Sequence, residues 1–178
     1  MPSSQPDNIS TVVKWIVEID PASVLDVGVG FGKYGVLARE YTDIRHGRYQ
    51  RKEWKVVIDG IEIFSPYYNP ICDIYDRVYG QDVKELLPHL KNYELVLICD
   101  VLEHLTKDDG IQVLAECKRM ATKAVIVSTP FGPYPQDTCF GNENERHISE
   151  WKVNDFEGWT MRLDGPCLSC FYRKSSYA

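Results

Sequence analysis

Val24-Leu-Asp-Val-Gly-Val-Gly-Phe-Gly-Lys-Tyr-Gly35 decides the fold. Residues 23–27 form a short apolar run, the mark of a buried strand. Gly28, Gly30 and Gly32 follow it, and residues 34–41 then read as a helix. Glycines at a strand-to-helix turn let the backbone pass close to a ligand at the carboxyl edge of a sheet. Gly30 to Gly35 also satisfies the spacing of a dinucleotide fingerprint. A tight turn with no ligand would use the same glycines, so the stretch speaks for an architecture before it speaks for a ligand.

Outward from this turn the chain alternates strand and helix. Val12, Val13, Ile16 and Val17 stand at helical spacing and predict a helix over 10–18, with Ser10 as its cap and Pro21 beyond its end. Further strands are predicted over 56–63, 77–79, 94–99 and 124–128. Helices are predicted over 83–90 and 108–120, the second burying Ile111, Leu114 and Ala115. Strands separated by helices give a doubly wound parallel sheet. Residues 159–163 and 168–173 read as two late strands joined by Asp164-Gly-Pro166, with no helix between them. They form an antiparallel hairpin, because a parallel pair needs a long crossover. The expected fold is α/β, a mostly parallel seven-stranded sheet with a C-terminal antiparallel hairpin. A length of 178 residues suits one domain, 1–178.

A hydrophobic content of 44% with 26% charged residues excludes a disordered chain, a collagen and a coiled coil. The net charge of −6 repels a phosphate backbone, so no nucleic acid is expected as a partner. The local basic stretch of Arg45, His46, Arg48, Arg51, Lys52 and Lys55 reads as a solvated loop. No apolar run approaches the roughly 18 residues a membrane span needs, and the polar N-terminus does not resemble a signal peptide. Cys99 and Cys117 lie in apolar surroundings, as reduced thiols do, so a cytoplasmic protein is expected. Cys167 and Cys170 look like half a zinc site, but no second pair exists, and a strand would point the two thiols to opposite faces.

Three acids sharpen the reading of the turn. Asp26 lies inside the apolar strand, where a carboxylate is costly without partners. A pyrophosphate would oppose it, whereas a ligand carrying an ammonium group would use it. Glu62 ends the second strand, where a carboxylate accepts from both hydroxyls of a ribose. Asp82 follows the third strand, placed to accept from an exocyclic amine.

Val24-Leu-Asp-Val-Gly-Val-Gly-Phe-Gly32 resembles the first motif, hhDhGxGxG, of the class I S-adenosylmethionine-dependent methyltransferases. Asp100-Val-Leu-Glu-His104 is similar to the acid-h-h-Glu-His segment of their small-molecule members. The resemblance covers about residues 10–173 and implies a Rossmann-like sheet binding S-adenosylmethionine. By that resemblance Asp26 would contact the methionine part of the cofactor through water or backbone, against Gly28, Gly30 and Gly32. Glu62 would hold the ribose and Asp82 the adenine amine, with Val83 and Asp100 completing the cofactor site. The interval from Asp26 to Glu62 is 36 residues, longer than the ~20 expected from first turn to acid. The basic stretch accounts for the excess and leaves Asp59 as the alternative acid.

The implied reaction moves a methyl group to a small-molecule acceptor on oxygen or nitrogen. Candidate bases are His147, His104 and Glu150, of which the two histidines are the catalytic expectation. His147 falls in a polar, Asn-rich loop beyond the fifth strand, where this architecture places ligands. Asp100, Glu103 and His104 have the donor chemistry of a divalent-metal site, a weaker reading, and no metal is expected. Tyr67, Tyr68, Tyr134 and Tyr172 suit either a pocket wall or plain core. The alternatives are a nicotinamide-dependent oxidoreductase, which Asp26 and the hairpin oppose, and a non-catalytic binding module. A chain this short has no evident substrate domain, so a homo-oligomer or partner subunit is an expected way to complete the acceptor pocket.

Overall fold

A seven-stranded sheet runs through the molecule in the order β3-β2-β1-β4-β5-β7-β6. The computed structural model describes residues 5–175. The strands are β1 Ser23–Val27, β2 Val57–Ile61, β3 Arg77–Tyr79, β4 Tyr93–Cys99, β5 Ala121–Pro130, β6 Thr160–Asp164 and β7 Cys167–Arg173. The first five are parallel, and β7 lies antiparallel between β5 and β6. The sheet is therefore α/β, mostly parallel and doubly wound, with the antiparallel hairpin at its C-terminal edge.

Alternation along each strand sorts the core into two layers. Leu25, Val27, Val96, Ile98, Val125 and Val127 face α4 (Lys107–Met120), where they meet Trp151 and Phe156. Val24, Ile58, Leu95, Leu97 and Ile126 face α1 (Ile9–Ile19) and α2 (Lys33–Thr42), with Trp15, Ile16, Ala38 and Tyr75. Both layers are closed to water, which is why β1 and β4 are apolar on both faces. Asp26 falls on the α1/α2 side with Val24.

Several local expectations need correction. The first helix starts at Ile9 after Asn8, so Ser10 lies inside it and does not cap it. Pro88 stops the third helix early: α3 is only Val83–Leu86, and Leu87–His89 continues as a 3-10 turn. The fourth helix buries Gly110, Val113, Leu114, Cys117 and Met120. Ile111 is 52% exposed and Ala115 is exposed too, because Leu114 lies on the flank of the buried stripe rather than at its centre. Cys167 and Cys170 are buried in β7, and all six cysteines are unpaired. Among the described residues no helix is long and apolar enough to cross a membrane.

Candidate active site

The carboxyl ends of β1, β2, β4 and β5 open into one cavity of about 320 Å³. Gly28 makes the first turn beneath it. Its φ is +78°, and a Cβ there would lie 2.3 Å from Val101 Cγ2, so both its conformation and its space demand glycine. The Gly28 and Val29 amides both donate to Ile61 O, at 2.9 and 3.0 Å, which stitches the turn to the end of β2.

Glu62 stands just beyond that end. Its Oε2 accepts from the Gly30 amide and its Oε1 from the Phe64 amide, both at 2.8 Å. The carboxylate is thereby fixed at the wall of the cavity. Burial raises its pKa above the ordinary value, and the two amides oppose that shift. Asp59, the alternative acid, does not line the cavity. Its Oδ2 accepts from Tyr93 Oη at 2.6 Å, because two-residue alternation turns it toward the other layer. Asp82 caps α3 by accepting from the Lys84 amide at 2.8 Å, and it lines the cavity beside Val83 and Gln81.

Asp26 and Gly32 do not line the cavity. Asp26 is 1% exposed and accepts from Tyr75 Oη at 2.5 Å, while its Oδ1 has no hydrogen-bond partner among the described residues. Burial pushes its pKa up to about 7, against the opposing bond from Tyr75. Gly32 has a φ of +89° and precedes α2.

The other half of the cavity is built after β4 and β5. Asp100 has a left-handed φ of +55°, and its Oδ1 accepts from Ser128 Oγ at 3.0 Å. Glu103 and His104 end the 3-10 turn Leu102–His104. The Glu103 carbonyl accepts from the Ile148 and Ser149 amides, at 2.8 and 3.1 Å, which docks the late loop against this turn. His147 is thereby brought to His104, their ring centroids 4.8 Å apart. Glu150 does not line the cavity.

Each imidazole presents Nδ1 to a carbonyl, His104 to Arg146 O at 3.3 Å and His147 to Tyr134 O at 2.6 Å. A carbonyl only accepts, so Nδ1 carries the proton and Nε2 keeps its lone pair. Burial lowers both pKa values, that of His104 to about 4 with help from its neighbour His147. Both rings are neutral near pH 7. Glu103 is 3% exposed and accepts from Thr129 Oγ1 at 3.1 Å through Oε2, while its Oε1 has no partner among the described residues. Burial, then the charge of Asp100, pushes its carboxyl well above the usual range. Glu103, His104 and His147 each offer one ligand atom, and these atoms lie within 4.8 Å of one another. His147 thus takes the place that the sequence reading gave to Asp100 in the metal-like set.

The fold recurs in known structures. The chain superposes on an O-methyltransferase family protein from Burkholderia thailandensis with a TM-score of 0.67 at 12% identity, covering 95% of this chain and 57% of that one. It superposes on magnesium protoporphyrin IX methyltransferase from Synechocystis, solved with bound SAM, with a TM-score of 0.62 at 14% identity, covering 94% and 78%. For a SAM-dependent methyltransferase from Archaeoglobus fulgidus the score is 0.65 at 15% identity, covering 93% of each chain. The fold is that of the class I methyltransferases. The chain spans little more than half of the Burkholderia protein's length. No family model and no curated protein matches the sequence.

Within this methyltransferase fold, some cavity residues carried no sequence signal of their own. Glu145 accepts from Tyr67 Oη at 3.0 Å and stands in the same Asn142–His147 stretch that drew attention only for its histidine. Phe31, Gln136, Asn142 and Asn144 also line the cavity. Of the four tyrosines weighed from sequence only Tyr134 lines it. Tyr67 is 3% exposed, Tyr68 donates to Glu62 O at 2.8 Å, and Tyr172 packs on Trp159.

Proposed function

We propose that this protein is an S-adenosylmethionine-dependent methyltransferase acting on oxygen or nitrogen of a small-molecule acceptor. The carrying observation is Glu62, held by the Gly30 and Phe64 amides at the cavity wall with both oxygens directed by backbone. A ribose diol is the ligand such a carboxylate recognises, and Asp82 stands beyond it for the adenine amine. Five acidic side chains line the cavity (Glu62, Asp82, Asp100, Glu103 and Glu145), Glu103 among them pushed toward its protonated form by burial, with Lys33 the one lysine or arginine among the lining residues. That balance suits the cationic cofactor and an acceptor with no phosphate or carboxylate beside its reacting atom.

In the reaction the acceptor oxygen or nitrogen bonds the methyl carbon as the carbon–sulfur bond breaks. The bonding pair stays on sulfur, giving S-adenosylhomocysteine, and the acceptor's proton leaves to a base. His147 Nε2 is the proposed base, with His104 beside it. The turn and the acids supply position, the larger share of catalysis for such an in-line displacement. Calorimetry should detect binding of S-adenosylmethionine and none of NAD. Glu62→Ala should weaken that binding at least about tenfold, since bonds to a charged group are worth roughly 1.5–3 kcal/mol each. Binding of NAD alone, with no response to the sulfonium cofactor, would sink the proposal.

A second reading of the same histidines rests on Glu103 Oε1, a buried carboxyl oxygen without a hydrogen-bond partner among the described residues. Two imidazoles and a carboxylate suit a divalent first-row metal ion. Glu103, His104 and His147 would hold it, and the carbonyls behind each Nδ1 would fix the ring orientations. Such an ion would supply Lewis acidity toward the acceptor. Manganese titration of the protein followed by calorimetry separates the readings. Binding that His147→Ala abolishes, with methyl transfer lost in chelator, favours the metal; transfer indifferent to chelator favours the base.

A further inference from the structure

We propose that Tyr75 is a positioning residue for the cofactor site, acting through Asp26 and the first turn of α2. The proposal rests on the reading of the cavity as a cofactor site. Tyr75 follows the 3-10 turn Pro70–Ile74 between β2 and β3 and is 2% exposed. Its hydroxyl donates to Asp26 Oδ2 at 2.5 Å and accepts from the Gly35 amide at 3.1 Å. One oxygen thus joins β1, the start of α2 and the segment that leads away from Glu62. The ring lies where side chains on its neighbours would sit: a Cβ on Gly35 would be 2.1 Å from Tyr75 Cζ.

The segment that carries Tyr75 is itself clamped. Arg51 donates to the carbonyls of Asp73 and Tyr75, and Arg39 to that of Ile74. Arg39 is fully buried, stacks 4.1 Å over Trp54 and pairs with Asp43 at 2.6 Å. Arg48 holds Asp43 from the other side at 2.5 Å. Part of the basic stretch is therefore a brace for the glycine turn and not only a solvated loop.

The groups that act on Asp26 are Tyr75 from this segment, Glu62 from the end of β2, Cys99 from β4 and the Gly35 amide from α2. None of these carries a positive charge. An ionised Asp26 lacks the counter-charge that a cofactor bearing ammonium and sulfonium groups brings. The Tyr75 hydroxyl stabilises the ionised form, so it sets the pH at which the site gains that charge. Tyr93 and Asp59 make the same buried phenol–carboxylate pair at 2.6 Å; neither pair lines the cavity, but only Tyr75 also accepts from the Gly35 amide at the start of α2.

The test titrates S-adenosylmethionine into full-length wild type, Tyr75→Phe and Tyr93→Phe between pH 6 and 8.5. Wild-type affinity should rise with pH through neutrality. In Tyr75→Phe the affinity at pH 7 should fall about five- to tenfold, and the rise should move upward by about half a pH unit or more. Tyr93→Phe should leave both within about twofold, although it loses a bond of the same kind. Equal effects of the two variants, or an unmoved pH profile in Tyr75→Phe, overturn the proposal. Should Tyr75→Phe fail to fold, Asp26→Asn decides: it must lose the rise through neutrality, and its retention overturns the proposal. Denaturation of the ligand-free protein against pH is an independent arm. Tyr75→Phe must shift the span over which stability falls. A wild type that binds no cofactor sinks the functional reading and leaves this arm to judge Tyr75.

Discussion

At the scale of single residues, Asp26 costs the fold stability. Its pKa is pushed up to about 7 from an ordinary 3.8, so between those values the unfolded chain is ionised while the folded one still holds its proton. The folded state then binds more protons, and stability falls as pH rises across that window. Below it both states are protonated and the cost is absent; above it the cost is complete, at most about 4 kcal/mol. Asp26→Asn removes the ionisation at nearly constant shape. Relative to wild type, ligand-free Asp26→Asn should gain stability on going from pH 5 to pH 8, by about 1–3 kcal/mol. Urea unfolding at the two pH values measures it, and a difference independent of pH would contradict the burial argument. The proposed ammonium-bearing cofactor would offset that cost, which packing alone does not.

At the scale of elements, the β1–α2 turn and the turn after β4 are one packing unit. Gly28 sits under Val101, and an alanine there meets two penalties: the positive φ, and a Cβ 2.3 Å from Val101 Cγ2. A strained φ costs about 1–3 kcal/mol, and overpacking a further ~1–3 kcal/mol. Gly28→Ala should therefore lower stability by about 2–6 kcal/mol. Adding Val101→Ala should return part of the loss, because it clears the clash and leaves the backbone strain. Thermal or chemical unfolding of the two single variants and the double variant gives the coupling directly. Full additivity would mean that the two turns do not bear on each other. The glycine spacing was legible because it is local. The demand made by Val101 was not, since 73 residues separate the two positions.

At the scale of the whole molecule, the cavity is spanned by a link between segments far apart in the chain. Tyr67, after β2, donates to Glu145, after β5, at 3.0 Å. Phe31 and Phe64 pack on Tyr67, with centroids at 5.1 and 4.8 Å. The two walls of the cavity thus hold each other. Tyr67→Phe keeps the ring stack and removes the bond, worth roughly 1.5–3 kcal/mol when its acceptor is charged. Amide exchange in residues 131–147 should quicken by about tenfold or more, with the β4 and β5 amides unchanged. Exchange mass spectrometry reads both. Protection unaltered in 131–147 would show that the loop's other contacts, the Glu103 carbonyl and His104 among them, hold it without Tyr67.

What the sequence determined by itself was set by local patterning and by chain connectivity. Apolar runs of strand length, glycines after the first of them and the missing helix before the last strand specify a doubly wound sheet with an antiparallel end. They also put Glu62, Asp82, Asp100 and His104 at strand ends, because motifs tied to a strand boundary move with it. Tertiary structure decided which of two acids faces the cavity. A residue's side of a strand depends on the register of the whole sheet, and Asp59 turns to Tyr93 while Glu62 turns to Gly30. It decided that Asp26 meets Tyr75, 49 residues away, and that His147 meets His104 and Glu103. Such contacts follow from how a long loop docks on distant carbonyls, which no local spacing encodes.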